Sequence, residues 1–240
     1  MNSIHFFTLF CFTVLLSSCA DSKKQNEKIN TQEEHLEKHH NNKDKNHSDV
    51  NEHMHQSSVE ELIERFESPE RDSYQHPNKV LEYLGDISNK KIMDIGAGSG
   101  YFSVKLAEKG AKVIAADVSD EFQMALKKRV EENDIKNIEL RKIPHDNPGL
   151  SEKEVDMVLI VNTYHHINDR SVYFSKVKKG IKENGELVII DFYKKELPVG
   201  PNTDHKISKD VVIKELKQAA FTIVEVNVNL LPYQYIIRAK

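Results

Sequence analysis

Apolar positions along this chain change rhythm twice. An apolar run at 6–16 (FFTLFCFTVLL) gives way to a polar stretch, 20–56, where Ile29, Leu36, Val50 and Met54 stand isolated among Lys, Glu, Asn and His. From 57 to the end, helical and strand periods alternate. Ser58-Val59-Glu60-Glu61 has the form of a capping box, and Val59, Leu62, Ile63 and Phe66 follow at helical spacing. That helix is predicted to end at Pro69, since the residue before a proline is pushed out of the α region. A second helix is predicted over 77–84, stopped by Gly85. Strands are predicted at 91–95, 112–116, 137–141, 155–161 and 186–192. The helices between them are 101–109, closed by Gly110; 120–132, with Phe122, Ala125, Leu126, Arg129 and Val130 on one stripe; 169 to about 179; and 208 to about 220. Two strands, 222–230 and 234–238, are split by Pro232 and predict an antiparallel edge. Apolar strands alternating with helices imply an α/β, doubly wound, mostly parallel sheet with helices on both faces.

The N-terminal run is too short to span a bilayer as a helix and suits the core of a signal peptide. Leu16-Ser17-Ser18-Cys19 resembles the lipobox of bacterial lipoproteins, in which the cysteine becomes the acylated first residue. It departs from that pattern in having no Lys or Arg before the apolar core. The resemblance implies a signal peptide over 1–18, lipidation at Cys19, and a cell-envelope protein anchored on the periplasmic side of a bacterial membrane. Residues 20–56 contain no aromatic residue, Gly or Pro. They carry too little apolar area to offset their ordering entropy, so a disordered tether is expected over 19–56, with the folded domain at 57–240. Six histidines fall in the tether (His35, His39, His40, His47, His53 and His55), as a solvated polar stretch or as weak metal ligands.

Composition narrows the chemistry. Net charge is -4 across 240 residues, with no basic run, so a nucleic-acid partner is not expected. The only cysteines are Cys11 and Cys19, which leaves the body of the chain without a disulfide, a thiolate metal site or a cysteine nucleophile.

The segment Asp94-Ile95-Gly96-Ala97-Gly98-Ser99-Gly100-Tyr101 falls where the first strand meets its helix, at the carboxyl end where open α/β sheets bind ligands. Alternate glycines let a ligand approach the backbone. Asp117, at the end of the second strand, can accept both hydroxyls of a ribose. A dinucleotide site wants G-x-G-x-x-G with its pyrophosphate on the helix N-terminus, but Tyr101 occupies the third glycine position. Asp94, two residues before the first glycine, would repel a pyrophosphate and suit an ammonium and a sulfonium.

D-x-G-x-G-x-G with a following Asp117 resembles motif I of the class I S-adenosylmethionine-dependent methyltransferases. Val155-Asp156-Met157-Val158-Leu159-Ile160-Val161-Asn162 resembles their fourth-strand motif, and Asn184-Gly185-Glu186-Leu187 the entry to strand five. The resemblance implies a Rossmann-like, seven-stranded sheet of order 3-2-1-4-5-7-6 with the last strand antiparallel, and S-adenosylmethionine as cofactor. It implies cofactor contacts from Asp94, Gly96, Ala97, Gly98, Gly100, Asp117, Val118 and Asn162, and adenine contacts from His145 and Asp146. Phe66-Glu67-Ser68-Pro69-Glu70-Arg71-Asp72-Ser73-Tyr74-Gln75-His76-Pro77, Asn162-Thr163-Tyr164-His165-His166-Ile167, Gly200-Pro201-Asn202-Thr203-Asp204-His205 and Leu231-Pro232-Tyr233-Gln234-Tyr235 resemble a narrower group of bacterial methyltransferase-like proteins, in which Tyr74 and Gln75 close over the cofactor.

On the acceptor side, methyl transfer is an in-line displacement that rests largely on positioning, and a base is needed only where the nucleophile must lose a proton. His165, His166, Asp191 and His205 sit at predicted strand ends, histidine having the best-matched pKa; His165, His166 and His205 are the catalytic candidates. The chain lacks the Asn/Asp-Pro-Pro-aromatic motif of amide and adenine N-methyltransferases. It also lacks the body cysteine that cytosine C5 or arsenite methylation uses. A small or amphiphilic acceptor remains. Two competing functions are a non-catalytic ligand- or metal-binding lipoprotein retaining this fold, and a dinucleotide oxidoreductase.

Overall fold

The computed structural model describes residues 57–240. The expected signal peptide, tether and lipidation at Cys19 fall outside the described residues. The elements are α1 (Val59–Phe66), α2 (Pro69–Gln75), α3 (Pro77–Leu84), β1 (Lys91–Ile95), α4 (Tyr101–Glu108), β2 (Lys112–Asp117), α5 (Asp120–Glu132), β3 (Ile138–Lys142), β4 (Val155–Val161), α6 (Arg170–Gly180), β5 (Ile181–Phe192), α7 (Lys209–Gln218), β6 (Ile223–Asn227) and β7 (Gln234–Ala239), with 3₁₀ turns at Tyr164–His166 and Thr203–His205. One seven-stranded sheet runs β3-β2-β1-β4-β5-β7-β6. All pairings are parallel except those of β7, which runs antiparallel to both β5 and β6. The expected fold class and strand order are both observed.

Successive strand residues alternate between two apolar layers. Met93, Ile95, Ile114, Val158, Ile160, Leu187 and Ile189 point to the layer packed by Phe174 and Val177 of α6 and Val212 and Leu216 of α7. Ile92, Val113, Met157, Leu159, Val188 and Ile190 point to the layer packed by Val80, Leu81 and Leu84 of α3 and Phe102 and Leu106 of α4. Burial on both faces is what made these strands read as near-continuous apolar runs.

Three elements depart from the sequence expectation. The strand expected at 222–230 spans only Ile223–Asn227. Pro69 ends the first helix and also opens another, α2, by taking its first helical position, where a missing N–H costs nothing. β5 begins at Ile181, directly after α6, not at 186: Val155 pairs with Ile181 and Met157 with Glu186, so 182–185 bulge out opposite Asp156. A side chain at Gly185 would strike the Asp156 carbonyl at 2.6 Å, which is why the bulge closes on a glycine.

Candidate functional site

A crevice of about 1220 Å³ opens beyond the carboxyl ends of β1, β2, β4 and β5, roofed by α1 and α2. Tyr74, Gly96, Ala97, Gly98, Asp117, Val118, His145, Asn162, His165, His166 and His205 all lie on its wall. Asp94, Gly100, Asp146 and Gln75 do not. Asp146 is exposed to solvent, and its carbonyl accepts from Lys176.

The three glycines of the first turn have positive φ but different reasons to be glycine. A Cβ on Gly96 would lie 2.3 Å from Thr163 Oγ1, and one on Gly100 would lie 2.3 Å from Leu126 Cδ1, so these two admit neighbouring protein atoms. Gly98 (φ 54°) has only the edge of Phe66, 3.7 Å from its would-be Cβ. It alone leaves bare backbone toward the crevice. Proximity to a ligand therefore accounts for one glycine, and packing for two.

Asp117 fixes the shape of this turn. Its Oδ2 accepts the Gly98 N–H at 2.8 Å and its Oδ1 the Ser119 N–H at 2.9 Å. Burial pushes its carboxyl above the ordinary range, against the pull of those amides. A carboxylate offers about four lone-pair sites, so both oxygens retain capacity for two ribose hydroxyls. Beside it, Val118, Phe122, Ile143 and Pro144 form an apolar slot, with Phe66 stacked on Phe122 at 6.0 Å. Bare backbone, a ribose-competent carboxylate and an apolar slot in this order fit an adenine nucleoside.

Asp94 is set behind the glycine turn, 3% exposed, and accepts from Ser103 Oγ at 2.7 Å. It can influence a ligand only by charge at a distance, since its place is inside the protein and not on the wall. Desolvation raises its carboxyl to about 6. The folded state thus binds this proton more tightly than the unfolded chain, and stability should fall as pH rises from about 4 through about 6, by on the order of 2–3 kcal/mol. Asp94→Asn keeps an acceptor for Ser103 and removes the charge. Its urea midpoint should change less than wild type between pH 4 and 7 and exceed it at pH 8. Matching pH profiles would contradict this.

The roof is fastened at two points. Glu67 Oε1 accepts from Ser99 Oγ at 2.5 Å and from Arg129 Nη1 at 2.6 Å, which holds the α1–α2 junction to the glycine turn. Farther along, three side-chain amides close a ring. Gln75 donates to Gln234 at 2.9 Å, Gln234 to Asn162, and Asn162 back to Gln75 at 3.2 Å. Gln75 therefore ties α2 down to the ends of β4 and β7, with Asn162 as part of the tie. Tyr74 is left over the crevice between Phe192 and Tyr233, its ring 6.3 Å from each.

Past the carboxyl end of β4, His165 lines the crevice; its Nδ1 lies 3.0 Å from both carboxylate oxygens of Asp191 behind it, and the pair is almost fully buried (3% and 1% exposed). Asp191 is itself fixed by the Phe192 N–H at 2.8 Å. The pairing follows from the sheet: Val161 sits opposite Ile190, so the turn after β4 delivers His165 to the last residues of β5. The His166 ring packs 4.2 Å from that of His165. His205 approaches from the 3₁₀ turn Thr203–His205. Crevice residues that the sequence did not mark as site residues include Arg71, Phe66, Phe122, Thr163 and Phe192; Phe66 and Phe122 read there as members of apolar helical stripes, and Arg71 and Thr163 only as parts of quoted motifs.

A methyltransferase domain family matches residues 86–228. The ubiquinone biosynthesis O-methyltransferase of Acinetobacter baumannii (strain AYE) is 23% identical over 166 residues, covering 62% of this chain and 70% of that protein. A SAM-dependent methyltransferase from Aquifex aeolicus superposes with a TM-score of 0.71 at 25% identity, covering 76% of this chain and 98% of its own. The glycopeptide N-methyltransferase MtfA, complexed with S-adenosyl-L-methionine, is similar in fold, with a TM-score of 0.56 at 13% identity over 68% of this chain and 86% of that one.

Proposed function

We propose that this chain, which belongs to the methyltransferase domain family and is an S-adenosylmethionine-dependent methyltransferase, methylates a hydroxyl group of a small, uncharged, partly apolar acceptor. The cofactor supplies an electrophilic sulfonium methyl. In this reading Gly98 and Asp117 hold its amino-acid end and ribose, and Val118, Ile143 and His145 its adenine, supported by their common place on the crevice wall. The observation that carries the acceptor reading is His165 on the crevice wall, held from behind by the buried Asp191. Asp191 takes the Nδ1 side of the ring and leaves Nε2 for the acceptor proton, the arrangement of a general base held by a third group. With the cofactor bound, His165 would take the hydroxyl proton as the acceptor oxygen is methylated.

The character of the acceptor is read from the surrounding wall. From Val161 to His205 the residues lining the crevice, among them Asn162, Thr163, His165, Ile167, Tyr173 and Phe192, include no Lys, Arg, Asp or Glu; Asp191 lies behind them. The formal charges (Arg65, Arg71, Asp117, Asp120, Glu121 and Lys142) lie on the cofactor side. A charged acceptor would lose hydration against the acceptor wall without a counterion. The named activity of the Acinetobacter relative, an O-methyltransferase of ubiquinone biosynthesis, supports the same choice. Labelled methyl from the cofactor should appear as an ether on neutral phenols and alcohols in an acceptor panel. Transfer confined to amines or carboxylates would overturn the assignment.

The lipobox-like Leu16-Ser17-Ser18-Cys19 supports a lipid anchor at Cys19 and a cell-envelope location, with residues 20–56 as the tether between membrane and domain. Such a location suits a neutral amphiphile as acceptor. Cells fed labelled palmitate should label the wild-type protein and not Cys19→Ser; equal labelling of both would sink the anchor.

A further inference from the structure

Arg71 takes no part in the chemistry described so far, yet it lies on the crevice wall. Its Nη1 donates to the Phe66 carbonyl at 3.1 Å, and its Nε is buried without a hydrogen-bond partner. Among the described residues none forms an ion pair with it. The nearby carboxylates are engaged elsewhere: Glu67 by Ser99 and Arg129, Asp72 by the Tyr101 hydroxyl, Asp94 by Ser103. Burial holds the Arg71 guanidinium below its ordinary pKa, as expected of a cation with poor compensation.

The group is also pre-oriented. The guanidinium carbon stacks 3.9 Å from the centre of the Tyr101 ring, and that ring is fixed from its far end by the bond to Asp72. Tyr101 stands where a dinucleotide motif would need its last glycine, so the residue that breaks that motif is the platform for the arginine. Position along the crevice follows from Phe66. Its carbonyl holds Arg71, and its ring edge lies against Gly98, the one turn glycine open to a ligand. Arg71 therefore stands over the glycine-turn end of the crevice, while Asp117 reaches the ribose position through the same turn.

We propose that Arg71 is a cofactor-binding residue that takes the carboxylate of the amino-acid portion of S-adenosylmethionine, supplying from the roof a charge contact that the glycine turn cannot make. The inference rests on the cofactor assignment. A planar guanidinium matches a carboxylate in a way that ammonium does not, and removing one partner of a buried charged contact strands the other. Arg71 would thus make recognition two-ended: hydroxyls at Asp117, carboxylate at the roof. It would also couple cofactor binding to the seating of α2.

The test compares equilibrium binding of S-adenosylhomocysteine and of 5′-methylthioadenosine, which has the nucleoside but no amino-acid group, to the full chain. Wild type should prefer S-adenosylhomocysteine. Arg71→Gln should weaken that ligand about 10- to 100-fold while leaving methylthioadenosine within about two-fold, and Arg71→Lys should fall between. The methylthioadenosine arm reports whether the site is still formed. Equal losses for both ligands in Arg71→Gln would make Arg71 a structural residue and overturn the proposal, as would an unchanged affinity for S-adenosylhomocysteine. Failure of wild type to bind either nucleoside would remove the cofactor assignment itself; wild type binding both equally would remove only the role of Arg71.

Discussion

Replacing His165 with alanine should lower kcat by about 10²- to 10⁴-fold, the range expected for loss of a positioned general base, and should leave affinity for S-adenosylhomocysteine close to that of wild type. The effect should depend on the acceptor. An acidic phenol, already partly ionised at pH 7, gains little from a base, whereas an alcohol or weakly acidic phenol gains the most. Asp191→Asn should lower kcat in the same direction. The new amide can present an N–H to Nδ1, which then becomes the accepting nitrogen and leaves Nε2 protonated and useless as a base. Steady-state kinetics across acceptors of graded acidity would check both. An alanine variant as active as wild type on every acceptor would reduce His165 to a packed histidine and leave the enzyme working by alignment alone.

Asp117→Ala should weaken S-adenosylhomocysteine binding by about 1–3 kcal/mol, or about 5- to 150-fold, the cost of leaving polar groups unpaired. Two losses combine here. The ribose hydroxyls lose their acceptor, and the N–H groups of Gly98 and Ser119 lose the carboxylate that sets the turn. The loss should therefore appear in KM for the cofactor and be nearly absent from KM for the acceptor, whose wall is built from β4 and β5. Calorimetry with wild type and variant would measure it. Unchanged affinity would mean that the nucleoside lies elsewhere.

How much could be read in advance depended on how locally each feature is determined. Strands 91–95 and 155–161 and helices 77–84 and 120–132 have the bounds that their apolar pattern indicated, because each is fixed by its own buried stripe or run. The α2 helix had no such signature. Its sequence, PERDSYQ, buries only Gln75, and it is held by stacking contacts and by the amide ring, whose partners lie 87 and 159 positions away. Arg71 was hidden with it. The sequence indicated all three turn glycines as room for a ligand, but at Gly96 and Gly100 the intruding atoms come from Thr163 and Leu126, and spacing within the motif cannot show that. Likewise Asp94 is adjacent to the turn in sequence yet its side chain faces Ser103 and the interior, because alternate residues of β1 point to opposite faces. The His165–Asp191 pair joins residues 26 apart that the sequence analysis had already gathered at the strand ends; the register between β4 and β5 is what decides which histidine meets the carboxylate.

The two alternatives weighed from sequence now stand differently. The family match and the methyltransferase relatives make this an enzyme and not a silent binder of the same shape. A dinucleotide fares no better: the Tyr101 side chain, with Arg71 stacked on its ring, stands where that motif needs its third glycine.

The central claim is that the crevice between Gly98 and Asp117 receives an adenosyl sulfonium compound, and direct titration calorimetry with S-adenosylmethionine against NADH tests it. The account predicts saturable one-to-one binding of S-adenosylmethionine, abolished by prior saturation with S-adenosylhomocysteine, and no heat from NADH. Saturable binding of NADH with none of S-adenosylmethionine would contradict it.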